Sequence, residues 1–133
     1  MKLKRVIYEL YEVDLVSLNI NQEWHEIDRE IYLEFEGGEK KYFSWCNKPA
    51  QYSVGVQNHR FNTNEPDHVV DASNWNMWQG LIGNEIELIS RGNLHQILEI
   101  KGQGKSVYLS SQEQGSWLSD VLHISSTLPE FGS

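Results

Sequence analysis

The chain lacks most of what would tie it to a well-marked class. A single cysteine, Cys46, in 133 residues excludes an internal disulfide framework and suits a reducing compartment. We read it as a small apolar filler at a strand end. No apolar run approaches the ~20 residues that a membrane span needs. The opening stretch MKLKRVIYELYEVD carries basic residues but no sustained apolar segment or small-residue cleavage site, and no Asn-x-Ser/Thr acceptor occurs. These absences lead us to expect a cytoplasmic protein without membrane contact. Bases are scarce: 11 Lys and Arg stand against 19 Asp and Glu, a net charge of −8. A nucleic-acid binder normally carries a basic patch, so no nucleic-acid partner is expected.

Chemical signatures are equally sparse. There is no Gly-x-Ser-x-Gly elbow and no cysteine in a catalytic context. Gly37-Gly38 and Gly102-Gln103-Gly104 read as turns rather than phosphate cradles. His25, His59, His68, His95 and His123 lie in separate segments without ligand spacing, whereas a zinc site needs three or four converging ligands. Acids are plentiful, but abundance does not place a general acid where its pKa is raised. We therefore expect a binding protein rather than an enzyme, with no metal and no cofactor.

What is present is a β-hairpin. In residues 30–45, EIYLEFEGGEKKYFSW, apolar and polar positions alternate strictly, the mark of a strand with one buried and one wet face. Ile31, Leu33 and Phe35 point one way; Glu30, Tyr32, Glu34 and Glu36 point the other. A two-residue loop would set Glu36 against Glu39. A three-residue loop, Gly37-Gly38-Glu39, sets Glu36 against Lys40, Leu33 against Phe43 and Ile31 against Trp45. Opposite charges and apolar pairs favour the second register, which leaves an acidic outer row.

Further strands are expected over residues 5–12, 15–20, 51–57, 68–71, 84–90, 94–101, 105–111 and 120–125, from β-branched and aromatic enrichment and from turn spacing. Asn47-Lys48-Pro49, Arg91-Gly92-Asn93 and Gly102-Gln103-Gly104 mark turns, and Gly115-Ser116 breaks the last connection. Residues 21–26, NQEWHE, read as a polar connection. Residues 58–67, NHRFNTNEPD, form the longest stretch without an apolar pattern, which in a compact domain is functional or mobile. Asp71 or Ser73 caps a brief helix or turn through 75–79. The expected fold is mainly β: a single antiparallel barrel or sandwich of about seven to nine strands with one or two short helices. It occupies residues 1–127, and residues 128–133, ending in the cloning-site-like PEFGS, form a disordered tail.

The tryptophans divide by context. Trp45 belongs to the buried hairpin face. Trp75 and Trp78, three apart, share one side of a helical turn and either plug an end of the fold or wall a flat ligand. Trp24 sits in the charged segment EWHEIDRE, the composition of an interface anchor. Between Glu9 and Glu39 lie ten acids against one base, Arg29, so this part of the chain is a solvated face or an electrostatic surface for a basic partner.

Residues 68–89, HVVDASNWNMWQGLIGNEIELI, together with EIDREIYLEF ahead of the glycine turn, resemble immunity proteins of bacterial toxin systems, including contact-dependent inhibition. The resemblance implies a small, cytoplasmic, often acidic protein that binds a cognate toxin domain, commonly a basic nuclease. It covers about half the chain and transfers no contact residue. On the charge argument the expected partner surface is Trp24, Glu26, Asp28, Glu30, Tyr32, Glu34 and Glu36. The alternative is a small-molecule or sugar pocket of ~300 Å³ or more walled by His59, His68, Trp75 and Trp78.

Overall fold

A computed structural model describes residues 1–18, 23–46, 53–91, 97–111 and 121–128. Among these are ten strands in two five-stranded sheets, paired antiparallel throughout. The first sheet has β1 (Leu3–Leu10), β3 (Glu30–Phe35), β4 (Lys40–Cys46), β5 (Ser53–Gln57) and β6 (His68–Asp71), in the order β5-β4-β3-β1-β6. The second has β2 (Trp24–Ile27), β7 (Glu87–Arg91), β8 (Ile97–Lys101), β9 (Ser106–Ser110) and β10 (Leu122–Ser125), in the order β2-β10-β9-β8-β7. Neither sheet closes on itself, so of the two expected architectures the sandwich is the one formed.

Period-2 alternation supplies the core. Val6, Tyr8 and Leu10 of β1, Ile31, Leu33 and Phe35 of β3, and Phe43 of β4 meet Ile27, Ile100, Val107, Leu109, Leu122 and Ile124 of the second sheet in one buried cluster. At its centre the Tyr8 hydroxyl accepts a hydrogen bond from Trp78 Nε1 (2.9 Å), and its own proton is then available to His25 Nδ1 at 3.0 Å. Trp75 closes the group edge-on, 5.0 Å from the Tyr8 ring and 5.4 Å from His25. Gly102, at the β8–β9 turn, lies close against the core: a Cβ there would lie 2.4 Å from Leu81 Cδ2, so the buried Leu81 side chain would have to shift.

Several expectations are corrected. The hairpin loop has three residues, but they are Glu36, Gly37 and Gly38: Phe35 N–H donates to Glu39 O (2.8 Å), and the pairs are Ile31 with Phe43, Leu33 with Lys41 and Glu34 with Lys40. This register places Gly37 (φ 105°) and Gly38 (φ 96°) at the second and third loop positions, where left-handed backbone is needed. The faces are unchanged because the shift is even. Residues 24–27 are a strand, not a connection; His25 and Ile27 alternate inward, and the polarity of His25 hid the pattern. Residues 12–17 are helical (α1, Glu12–Ser17) where a strand over 15–20 was expected. Asp14 decides this, since its Oδ2 accepts from Tyr11 N–H (2.9 Å) and its Oδ1 from Asp28 N–H (2.8 Å), a local capping bond that no strand could make. The turn after β6 is opened by Asp71, whose Oδ1 accepts from Ser73 N–H, and it ends in a 3-10 turn, Gln79–Leu81. The side chain of Cys46, the 47–49, 92–93 and 115–116 turns, His95, strand residues 19–20, 51–52, 94–96 and 120, and tail residues 129–133 lie outside the described residues.

Tyr8→Phe would leave the buried Trp78 Nε1–H without its acceptor, at about 1–3 kcal/mol. Urea unfolding is expected to show a loss of about that size with an unchanged slope. Burial also holds the Tyr8 phenol well above its ordinary 10.0. The folded state thus keeps a proton that the unfolded chain releases, and stability should fall as pH climbs past that value.

Candidate functional site

The path of the chain forces a crossing. β5 and β6 lie at opposite edges of the first sheet, about 19 Å apart at ~4.8 Å per strand. Residues 58–67 make the connection, and ten residues reach at most ~33–36 Å. The inner face is core, so the connection runs over the outer face. The polar stretch is therefore a strap.

The acids of the hairpin's outer row fasten it. Glu30, fully buried, accepts hydrogen bonds from Phe61 N–H (3.0 Å), Asn62 N–H (3.1 Å) and Asn62 Nδ2. Glu9, opposite Glu30 on β1, takes Arg60 in two bonds, 2.8 Å from Nε and 2.9 Å from Nη2. That contact raises the Arg60 pKa further. Two carboxylates face to face across a strand pair repel; the guanidinium and the strap amides offset the repulsion. Arg29 is also buried, under the strap, with its Nη2 on Asn64 O and its Cζ over the Tyr11 ring, 5.3 Å from the centroid. Glu34 is likewise buried and pairs with Arg5 and, at 3.8 Å, with Lys4. Tyr32 and Tyr42 fill the row between, 4.9 Å apart, their hydroxyl pKa values raised by burial and then by Glu9.

The expected partner surface is thus corrected in part. Glu30 and Glu34 are structural anchors and offer nothing to a partner, while Tyr32 is half-buried and Glu36 is exposed at the hairpin turn. The alternation was read correctly, but what covers the polar face comes from 31 residues further along the chain. Trp24, Glu26 and Asp28 are not on this sheet at all. Trp24 and Glu26 point outward from β2, on the opposite side of the sandwich. There Trp24 is 44% exposed and stacks on His123, at 5.8 Å and 17° between planes. Glu26 lies beside the pair, its Oε2 3.4 Å from His123 Nδ1. Asp28 is exposed at the end of β2.

The alternative pocket residues do not converge. Trp78 has no accessible surface, so it walls no cavity. Trp75 packs against the same core cluster, His59 is exposed near Gln57 and Arg60, and His68 pairs with Glu12 on α1. An open cleft lined entirely by described residues, about 370 Å³, lies instead between Glu85–Glu87 and Lys101–Gln103 and contains none of the four. Among the described residues no three His, Cys, Asp or Glu cluster as a metal site, and no helix is long and apolar enough to cross a membrane.

The second sheet carries its own buried carboxylate. Glu99 accepts from Ser106 Oγ (2.5 Å) and from Arg91 Nε (2.9 Å), and the Ser106 bond, reinforced by Arg91, holds its pKa below the ordinary 4.5. Tyr8, Glu9, His25, Arg60 and Glu99 were not singled out from sequence; for His25 the alternation with Ile27 was the available signal.

Two outcomes are expected. Arg60→Ala leaves Glu9 buried and unpaired and should cost about 2–3 kcal/mol, less than a wholly buried pair because Arg60 is itself partly exposed. Hydrogen exchange at the 61 and 62 amides should accelerate with it. Glu99, with its folded pKa lowered, contributes stability above the ordinary carboxylate value that is lost as pH falls through the folded one. Glu99→Gln should therefore destabilise at neutral pH and converge on wild type in acid, as read by melting temperature against pH.

No family model, no curated protein and no solved structure matches the chain.

Proposed function

We propose that this is a binding protein of immunity type, which neutralises a basic protein partner, a toxin domain in that reading, by occluding it. The observation that carries the proposal is the exposed Trp24, held flat by His123 with Glu26 alongside and Glu23 at the strand's start. An indole face open to solvent, fixed from behind and flanked by carboxylates, suits an arginine or lysine of a partner: the cation stacks on the ring and pairs with the acid. A net charge of −8 favours encounter with a basic surface. The resemblance of residues 26–35 and 68–89 to immunity proteins points the same way.

The test is whether a gene beside this protein's own encodes a basic toxin domain, and then binding to that domain, measured by calorimetry and by stopped-flow at several ionic strengths; a neighbourhood without such a domain would count against the reading. Trp24→Ala should weaken affinity by about 30-fold or more, the ~2 kcal/mol of a hot spot. Glu26→Lys should slow association and flatten its salt dependence. Glu30→Gln, beneath the strap, should change stability but not affinity. Full affinity in the Trp24→Ala protein would remove this face from the interface.

A further inference from the structure

The short helix α1 is inverted. Among its described side chains Asp14 is the one deeply buried, while Val13 is 60% and Val16 84% exposed and Leu15 lies at the same surface. Single exposed apolar residues are ordinary. Three on one six-residue helix, one of whose two acids, Asp14, faces inward, are not. Asp14 is inside because it ties Tyr11 N–H and Asp28 N–H, which turns the apolar positions outward.

The exposed carboxylates around this apolar patch are Glu12, Asp28 and Asp67. Glu12 is on the helix itself, with a side chain 76% exposed. Asp67 is tied to it, its Oδ2 accepting from Glu12 N–H at 3.0 Å. Asp28 is bound to the helix through Asp14, and all three are exposed. Of the nearby bases, Arg29 is buried, Arg60 is held by Glu9, and His68 Nε2 bonds Glu12 at one edge of the patch. A second copy of this chain would set these acids against their own kind, and an anionic lipid surface would be repelled.

We infer that the outer face of α1 is a docking surface for a cationic amphipathic protein segment, one that seats apolar side chains on Val13, Leu15 and Val16 and places lysine or arginine against Glu12, Asp28 and Asp67. The inference extends the proposed function, naming a second contact for the same class of basic partner. It is separate from Trp24, which lies at the other end of β2 from Asp28.

The experiment titrates the full-length, isotopically labelled protein with an 18-residue leucine/lysine amphipathic peptide, followed by amide and methyl NMR shifts. A lysine/serine peptide of equal charge and a leucine/glutamate peptide of the same pattern serve as controls. Saturable shifts are expected at residues 12–16, 28 and 67 with the leucine/lysine peptide, and at least tenfold weaker binding to either control. Val13→Ser/Val16→Ser, surface changes that spare the core, should weaken binding at least tenfold with an unchanged melting temperature. Equal binding of the lysine/serine peptide, unaltered affinity in the double variant, or shifts absent from α1 would each overturn the inference. Shifts confined to Trp24 and His123 would overturn it while leaving the proposed function standing. Binding at α1 in a protein whose Trp24→Ala variant keeps full partner affinity would do the reverse.

Discussion

The position of β5 and β6 at opposite edges of one sheet is the constraint from which most of the rest follows. A connection that must cross a sheet's outer face brings ten residues, eight of them polar, onto it, and their backbone groups need partners once covered. The sheet meets that need with Glu30, which takes two backbone amides and a side-chain amide of the strap. Glu9 holds Arg60 beside it. Acids that alternation places toward water are here the floor of a second, polar layer. Strap and floor depend on each other: without the strap the carboxylates would repel across the strand pair, and without the carboxylates the strap would carry unpaired amides.

The apolar side has its own polar exception. Tyr8, His25 and Trp78 link both sheets and the 72–84 turn through one hydroxyl. Such a network fixes relative orientation more sharply than apolar contact does, because a misplaced partner leaves a buried group unsatisfied. It also explains the tryptophan pair three residues apart. One indole donates into the core and the other closes over it, so spacing that suits a ligand wall serves packing.

The parts legible in the sequence are those governed by local pattern. The alternation in residues 30–35, the strand at 68–71 and the glycine turns after Phe35 and Lys101 were all readable, because period and turn chemistry act within a few residues. What was not readable is what lies on top of each face. Glu30 and Glu36 look alike in the sequence and end up at opposite extremes of burial, since only Glu30 lies under the strap. The α1 helix was misread because one aspartate outweighed a run of β-branched residues. Strand β2 was missed because a buried histidine broke an otherwise apolar alternation. Of the expected contact set, Trp24 and Glu26 kept their place at a surface, while Glu30 and Glu34 were claimed by distant chain segments.

The placement of β10 between β2 and β9 sets the order in which the chain can mature. His123 sits beside Glu26 across a separation of 97 residues, and among the described residues β10 is the strand that pairs with β2. Strand β2, and the exposed Trp24 with it, cannot dock until β10 arrives. Loop-closure entropy of that size slows folding relative to proteins built on local contacts. The β3–β4 hairpin closes a loop of three residues, whereas the Trp24–His123 stack needs the long closure. Acquisition of that stack therefore reports the arrival of β10.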